Sequence, residues 1–544
     1  MSFNTFLVST NIAQASCNSS FLQHKGLHWL DWIIIVAYAF ILIGIGVYYS
    51  KRTQTSDDYL LGGRKVNPIA TGISLIATTL SVITFLMIPG ETIKYGPGYP
   101  IFKILILPIA FVFVGYFIIP FIMRQRITSA YELLEKPLGK GVKLTASIVF
   151  ILVRFLWMGL LIFLSSKVII DIMDWDPKYI TTIGYVVGVI TIIYCTMGGF
   201  RAVVTTDVIQ FVLLFLGASL TLVFITLRMG GIMEWMPTIW EPHWDKIVLF
   251  SLDPRIRITA IGVLAFNLVW WICTTGSDQM AIQRFISTKD TKAARRSFLT
   301  TMLASIFSFT VLTFVGFALL RYYQENPNIL PEGKNVIDNA DYIFPHFIAN
   351  LLPIGVTGLV IAGLLSAVMS SLSSGINSVT TVITSDISPF FRKHDATEKE
   401  NITFEKYVSA GVGLLAVFLS SINSSIPGNI LELTGKTSNL FVAPLFNLFF
   451  MAFFVRFATP LGTIIGTIYG LTSAVLIGFW DIFTGNPGWS FMWIMPFSLV
   501  ISILFSVVFS LIPTKGKERN IQLLWAFALL MPLVIITVIL LSYA

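Results

Sequence analysis

The stretch Ser74-Leu-Ile-Ala-Thr-Thr-Leu-Ser-Val-Ile-Thr-Phe-Leu-Met-Ile-Pro-Gly90 is apolar enough to lie inside a membrane, but hydroxyl side chains interrupt it repeatedly. Transporters often break a membrane helix at such a place, so that freed backbone carbonyls face an ion or a substrate. A continuous helix with a polar seam would show the same pattern. The stretch therefore predicts either a broken helix or a polar helix seam.

Long apolar segments surround this stretch on both sides. The chain has 544 residues, of which 55% are hydrophobic and 12% charged. A soluble domain of this length could not bury so much apolar surface, whereas a bilayer can. One transmembrane domain over 29–542, after an extracellular tail at 1–28, is the prediction. Because a spanning helix needs about 20 mostly apolar residues, we predict an all-α polytopic membrane protein with fourteen spans, near 29–50, 67–90, 100–122, 144–172, 179–197, 204–229, 257–277, 298–322, 353–384, 406–424, 434–455, 459–481, 490–512 and 521–542.

The basic residues set the predicted orientation. The chain carries 36 Lys and Arg residues against 28 Asp and Glu, a formal net charge of +8. When the N-terminus is placed outside, most of the basic residues fall in loops on the inner side, among them Arg64, Arg201 and Arg284. This asymmetry predicts an outside N-terminus. It also explains the positive charge by orientation in the lipid bilayer, without a nucleic-acid partner.

A run of serines lies in the ninth predicted span. Ser370, Ser371, Ser373 and Ser374 place four hydroxyls within five residues of a helix, and the first, third and fourth share a face. Hard monovalent cations prefer neutral and carboxylate oxygens, which favours a sodium site. Close helix packing through small residues would favour the same composition.

Two carboxylates lie near predicted helix ends. Asp207, at the inner start of the sixth span, could complete a cation site or simply stabilise a helix N-terminus. Asp278 follows Gly276 at the end of the seventh span and suggests another irregular helix end. The sequence contains no phosphate-binding loop, no HExxH motif and no convincing nucleophile–base pair, so we expect no enzymatic activity.

These segments, in this order, resemble the sodium:solute symporter family, which includes sodium–glucose, monocarboxylate, multivitamin, proline and sialic-acid symporters. The resemblance extends over roughly 30–512. It rests on five segments, which are specific in combination: Asp58–Arg64, Ser74–Gly90, Tyr194–Gln210, Asp278–Arg284, and the serine run with Asn377 and Ser378.

The resemblance implies a fold of two inverted five-helix repeats, a 5+5 core. The repeats would cover about 67–229 and 257–455, with additional helices at 29–50 and 459–542. The first helix of each repeat would be broken, at about Leu80–Thr84 and at about Thr274–Ser277, so that half-helix ends face a central site.

The resemblance also implies a sodium site. Carried over by position, its ligands are the backbone carbonyls of Ala77, Leu80 and Ala367 and the hydroxyls of Ser370 and Ser371.

Members that look like the sialic-acid branch add a second sodium site. The matching ligands here are Asp207, Ser370, Ser373 and Ser374, and all four are present. The resemblance therefore predicts two sodium ions per transport cycle.

The substrate site is predicted from four residues. Ser81 and Thr84 resemble a hydroxyl pair with which some acid-transporting members hold a carboxylate. The sialic-acid branch has an arginine on the fourth span, where this chain has Trp157, with Arg154 about one helical turn away. Asp278 completes the predicted set. The glutamine and asparagine of galactose-type members are absent.

The resulting prediction is a sodium-coupled secondary active symporter that imports a small polar organic solute, namely a sugar, a sialic acid or another organic acid, by alternating access. The plasma membrane, or the inner membrane of a bacterium, is its expected location. One alternative is a monocarboxylate-type or vitamin-type symporter with a single sodium site. Another is an uncoupled uniporter or receptor of the same fold.

Overall fold

The computed structural model describes residues 27–251, 253–391, 396–422, 440–486 and 488–512, and residues 520–531 apart from 522 and 529. Nearly all of the predicted tail at 1–28, more than half of the last predicted span, and the segment that joins the spans near 406–424 and 434–455 lie outside the described residues. Within these ranges every regular element is a helix, as the sequence predicts.

The α-helices are, in chain order, α1 (Trp29–Ser50), α2 (Ser56–Leu61), α3 (Pro68–Thr79), α4 (Val82–Tyr95), α5 (Gly98–Leu105), α6 (Leu107–Phe113), α7 (Ile119–Ile122), α8 (Glu132–Met173), α9 (Ile180–Met229), α10 (Ile232–Trp235), α11 (Ala260–Ser277), α12 (Gln279–Ile286), α13 (Thr291–Glu325), α14 (Ala340–Asn350), α15 (Val356–Val382), α16 (Glu398–Ile422), α17 (Val442–Phe454), α18 (Pro460–Gly478), α19 (Trp480–Thr484) and α20 (Ile494–Leu511).

Among the described residues, ten helices are long and apolar enough to cross a membrane, and the bent pair of α3 and α4 meets the same length and composition criteria when its two helices are taken together. Helix α9 has 50 residues, and its backbone leaves the helical conformation at Gly199. At 1.5 Å per residue they measure about 75 Å, more than twice the hydrocarbon thickness, so α9 consists of two segments that match the predicted spans at 179–197 and 204–229. The full count of fourteen spans and the outside N-terminus stay predictions.

The first predicted helix break is confirmed. Leu80 and Ser81 adopt extended backbone angles between α3 and α4, and the two helices bend by 71° at this point. The stretch from Ser74 to Gly90 is therefore a broken helix and not a continuous polar seam. Since α3 ends at Thr79, its last carbonyls have no intrahelical donors.

The second break lies one residue beyond the predicted range of Thr274–Ser277. Helix α11 continues through Ser277, and the chain becomes extended at Asp278. The Asp278 carboxylate accepts a hydrogen bond from the Met280 amide at 2.9 Å and so caps α12. Helix α11 therefore ends just before a residue, Asp278, whose side chain caps the following helix α12.

Helix α15 lies in the interior of the bundle. It packs against α1, α3, α8, α9 and α16, and all of its residues from Ser366 to Val382 are buried. Asp31 of α1 caps it, because its carboxylate accepts hydrogen bonds from the Gly355 and Gly358 amides, both at 2.8 Å. The serine run is thereby fixed inside the protein, away from the lipid.

Candidate ion and substrate sites

The first cluster of predicted ligands lies where the end of α3 meets α15. The Ser370 hydroxyl donates to the carbonyls of Ala77 at 2.9 Å and Ala367 at 3.2 Å. The Ser371 hydroxyl donates to the carbonyl of Thr78 at 2.8 Å. Both serines are at most 1% exposed. The break in α3 thus frees carbonyls that the serines of α15 satisfy.

Four of the five residues predicted for this first site come together in that cluster. Leu80 takes part in none of its hydrogen bonds, and its own amide donates to the Ile76 carbonyl at 2.9 Å. Each serine hydroxyl has a single hydrogen, which Ser370 shares between its two carbonyls, and keeps lone pairs that are able to bind a cation. The arrangement offers neutral oxygens from two helices, which suits a hard monovalent ion.

The second cluster of predicted ligands is only partly assembled. The Ser374 hydroxyl lies 3.4 Å from Oδ2 of Asp207. The Ser373 hydroxyl donates to the carbonyl of Ser370 at 3.1 Å, along its own helix, and the Ser370 hydroxyl belongs to the first cluster. Asp207 and Ser374 therefore meet, whereas Ser370 and Ser373 direct their hydroxyls to backbone carbonyls.

An arginine that the sequence analysis assigned to an inner loop occupies this second cluster. Arg284 lies on α12 and is 1% exposed. Its Nη2 atom contacts Oδ2 of Asp207 at 3.0 Å, and the hydroxyls of Ser374 and Thr78, both at 2.6 Å. Its Nε atom donates to the Ser74 hydroxyl at 2.9 Å. The loop assignment of Arg284 was wrong, because a buried carboxylate across the bundle compensates its charge.

A signal for this burial was present in the sequence. Arg284 is followed directly by Phe285 and Ile286 and comes only six residues after Asp278. The surroundings of an inner loop would be more polar. Ser74 and Thr78, on α3, are the other two members of the cluster, and the sequence analysis included them among the hydroxyls of the Ser74–Gly90 stretch but not among the predicted ligands.

Asp207 retains one unused oxygen. Its Oδ2 atom accepts from Arg284, Ser374 and Ser74. Its Oδ1 atom has no hydrogen-bond partner in the described part of the chain, although the residue is fully buried. A buried carboxylate oxygen without a donor is rare and calls for an explanation such as an ion.

The first pair of predicted substrate residues stands at the N-terminus of α4. Ser81 caps this helix, and its hydroxyl lies 3.3 Å from the Thr84 hydroxyl and accepts from the Thr84 amide at 3.3 Å. Both residues are half-buried. Free amides and the helix dipole make such a helix start a favourable place for an anion.

The second pair is an ion pair between α8 and the break after α11. Nη2 of Arg154 contacts Oδ2 of Asp278. The Arg154 guanidinium lies 4.8 Å from the ring centroid of Trp157 and 5.2 Å from that of Phe150. The rings of Trp157 and Phe150 thus hold the guanidinium by cation–π contacts. Among the described residues no hydrogen bond joins this pair to Ser81 or Thr84.

Comparison with known proteins places the chain. The sequence model of the "Sodium:solute symporter family" matches residues 59–470. The sodium/sialic acid symporter SiaT of Proteus mirabilis is 33% identical over 73% of this chain and 78% of its own length. The sodium/sialic acid symporter NanT of Aliivibrio fischeri is 30% identical over 79% and 84%.

A solved structure similar to this chain is of the same kind as these two relatives. It is a substrate-bound, outward-open Na⁺-coupled sialic acid symporter, which superposes with a TM-score of 0.75 at 28% identity and covers 91% of this chain and 100% of its own. Its helical architecture is the inverted-repeat transporter fold that the resemblance implied. The chain therefore belongs to the sodium:solute symporter family, as a membrane transporter that couples an organic solute to sodium and not as an enzyme.

Proposed function

We propose that this protein imports a small organic acid, with two sodium ions per cycle, by alternating access. The observation that carries the proposal is the contact of Ser370 and Ser371 with the carbonyls that the break in α3 leaves free. In this proposal the first sodium ion takes the carbonyls of Ala77, Leu80 and Ala367 and the two hydroxyls. Their hydrogen bonds then hold the same helices together while the ion is absent.

The second ion would bind at Asp207, Ser370, Ser373 and Ser374. The unpartnered Oδ1 atom of Asp207 supports this assignment, since it is a buried acceptor without a donor. A tenfold sodium gradient gives ~1.4 kcal/mol and a potential of about 100 mV gives ~2.3 kcal/mol per charge. Each ion thus supplies roughly 3.7 kcal/mol. Inward movement of the solute's own carboxylate against the potential costs ~2.3 kcal/mol, so two ions would sustain solute accumulation of about 5 × 10³-fold, and one ion about tenfold.

The solute would present its carboxylate to Ser81, Thr84 and the start of α4, with Arg154 in reach of its other polar groups. The named relatives carry sialic acids, which are carboxylates. The ion pair with Asp278 makes the region around Arg154 neutral overall. A solute with both a carboxylate and uncharged hydrogen-bonding groups fits this distribution better than a simple sugar does.

The one-sodium alternative has one observation in its favour. Arg284 occupies the second cluster with a positive charge, so Asp207 has a counter-ion already. The number of sodium ions transported per solute distinguishes the one-sodium symporter from the two-sodium symporter.

We propose the plasma membrane, or the inner membrane of a bacterium, as the location of the symporter in either case.

Uptake into proteoliposomes with an imposed sodium gradient tests the function. A screen for sodium-dependent thermal stabilisation by sialic acids, other organic acids and sugars selects the solute, because a ligand of the folded state raises its apparent stability. We expect uptake of a selected acid with sodium outside, and loss of uptake with potassium or choline. Equal uptake in all three salts would refute the coupling.

A further inference from the structure

The buried ion pair between Asp207 and Arg284 suggests a role for the arginine in ion binding. We propose that the Arg284 guanidinium and a sodium ion compete for the oxygens of Asp207 and Ser374, so that the second sodium site works by cation exchange. The inference rests on the proposed function, because it concerns one of the two ions proposed above. It assigns Arg284, which is not among the predicted ligands, as the residue that sets sodium affinity.

The geometry requires the competition. A single nitrogen, Nη2 of Arg284, lies within 3.0 Å of oxygens of Asp207, Ser374 and Thr78. A sodium ion that used the Asp207 and Ser374 oxygens would stand next to this nitrogen, and two positive charges at such a distance repel strongly in a dry interior. The ion enters only when Nη2 withdraws.

Arg284 has contacts that would hold it after it withdraws. Its Nη1 atom donates to the Met280 carbonyl of its own helix at 2.8 Å, and its Nε atom donates to the Ser74 hydroxyl at 2.9 Å. Because the guanidinium is rigid and planar, Nη2 withdraws only when the whole group shifts, and the Met280 carbonyl remains an acceptor on the same helix. Oδ1 of Asp207, which has no donor, remains free to complete the coordination of the ion.

The exchange explains how a carrier without its second ion avoids an uncompensated charge. Asp207 is fully buried, and a lone carboxylate in a membrane interior is strongly unfavourable. With Arg284 as counter-ion the empty site is neutral. The unloaded carrier is then able to return across its conformational cycle.

Helix α12 connects this exchange to the candidate substrate site. Asp278 caps its first turn and pairs with Arg154, while Arg284 lies in its last turn. The helix has eight residues and is about 12 Å long. The side-chain shift of Arg284 when sodium binds therefore takes place on the same short element that positions the partner of Arg154.

Sodium titrations of three variants test the competition. Arg284→Gln removes the competing charge, Arg284→Lys keeps the charge but replaces the rigid guanidinium fork with a single ammonium group, and Arg295→Gln is the control. Arg295 lies on α13 and donates to the Gly115 carbonyl at 3.0 Å. The readouts are sodium-dependent thermal stabilisation of the purified protein and sodium activation of uptake, both measured at one pH for all variants.

We expect the half-saturating sodium concentration to fall about tenfold in Arg284→Gln, as when a competitor fills the site nine-tenths of the time. Arg284→Lys should show a smaller fall, and Arg295→Gln none. An unchanged or higher concentration in Arg284→Gln overturns the inference. If that variant does not fold, the same result in Arg284→Lys overturns it.

The two proposals fail in different ways. If the wild-type protein shows neither stabilisation nor uptake that depends on sodium, the proposed function is wrong. If the wild type responds to sodium and both Arg284 variants respond at the same concentration, only the exchange is wrong. In the double variant Asp207→Asn/Arg284→Gln the affinity gain should disappear, and a gain that persists would count against Asp207 as the shared ligand.

Discussion

Ser370 and Ser371 illustrate at the residue scale how a helix break prepares a cation site. Their hydroxyls satisfy carbonyls of α3 that have no donors in their own helix. Ser366, one turn earlier on α15, is equally buried, but its hydroxyl donates to the Ala362 carbonyl of its own helix at 2.7 Å. The three serines are alike in residue type and burial. We therefore expect that only Ser370 and Ser371, which contact carbonyls of α3, contribute to sodium binding.

The first prediction concerns these serines. Ser370→Ala and Ser371→Ala should each raise the half-saturating sodium concentration by about tenfold, because each removes one oxygen ligand worth ~1–2 kcal/mol. Ser366→Ala is the matched control and should change it less than about twofold. Sodium-dependent thermal stabilisation measures all three. Equal effects at the three positions would show that hydroxyl loss only perturbs packing.

The second prediction concerns Arg154. Arg154→Gln removes the cation that faces Asp278 and should weaken uptake of the acidic solute at least about tenfold, with loss of a charge-assisted hydrogen bond. Arg154→Lys should retain part of the uptake, because the charge remains. The half-saturating sodium concentration is the internal control and should stay near the wild-type value. A fall in uptake that tracks protein yield alone would point to a structural role for the ion pair.

At the scale of helices, the N-terminus of α15 depends on a carboxylate from α1. Asp31 is 2% exposed and accepts the Gly355 and Gly358 amides. We predict that Asp31→Asn and Asp31→Ala lower the stability of the purified protein by about 1–2 kcal/mol, through loss of a charged cap. The apparent melting temperature measures this loss.

Asp176→Asn is the control for that measurement. Asp176 is a surface residue paired with Lys178, and such pairs contribute little to stability. Its melting temperature should match that of the wild type. If Asp31→Ala melts at the same temperature, the two amides find water instead, and the cap does not position α15.

The third helix junction, inside α9, depends on a glycine. Gly199 has φ +59° and ψ −156°, a region that essentially only glycine adopts. A Cβ atom there would lie 2.6 Å from the Tyr59 carbonyl oxygen. We predict that Gly199→Ala reduces the yield of folded protein sharply, by strain of about 1–3 kcal/mol together with displacement of Tyr59.

Gly411→Ala is the matched control for Gly199→Ala. Gly411 lies within α16, and a Cβ atom there would meet nothing within 4 Å. Alanine favours a helix more than glycine does by about 1 kcal/mol, so this variant should fold at least as well as the wild type. Size-exclusion profiles of the two variants, purified in parallel, provide the comparison. Similar profiles would mean that the bundle accommodates a side chain at Gly199.

Sequence patterns predicted helix interruptions better than they predicted partners. The hydroxyls of the Ser74–Gly90 segment are a local signal that left a broken helix and a polar seam open, and the family resemblance placed the break at about Leu80–Thr84. The Pro89-Gly90 pair of the same segment lies inside α4. The spacing of Ser370, Ser373 and Ser374 correctly places them on one helix, but the Ser373 hydroxyl bonds within that helix. The pairing of Arg284 with Asp207 joins residues 77 positions apart, and no local pattern encodes such a contact.

For the whole molecule, the number of coupled ions decides how steeply the solute is concentrated. The first cluster contains no formal charge, while the second contains Asp207 and Arg284, which neutralise each other. If sodium replaces Arg284 at Asp207, two sodium ions cross the membrane with each solute. If it does not, one sodium ion crosses, and the limiting accumulation differs by a factor of about 500 at the same gradient.

The last prediction is therefore a stoichiometry. Parallel ²²Na⁺ and labelled-solute fluxes in proteoliposomes should give two sodium ions per solute for the wild type and one for Asp207→Asn/Arg284→Gln, in which both charges of the second cluster are gone. This double variant is preferable to Asp207→Ala, which leaves a buried arginine without its partner and damages folding. Ser370→Ala should impair sodium uptake in both backgrounds, because the first site is common to them. A ratio of one in the wild type, unchanged in the double variant, would leave a single sodium site, with Arg284 as a permanent counter-ion of Asp207.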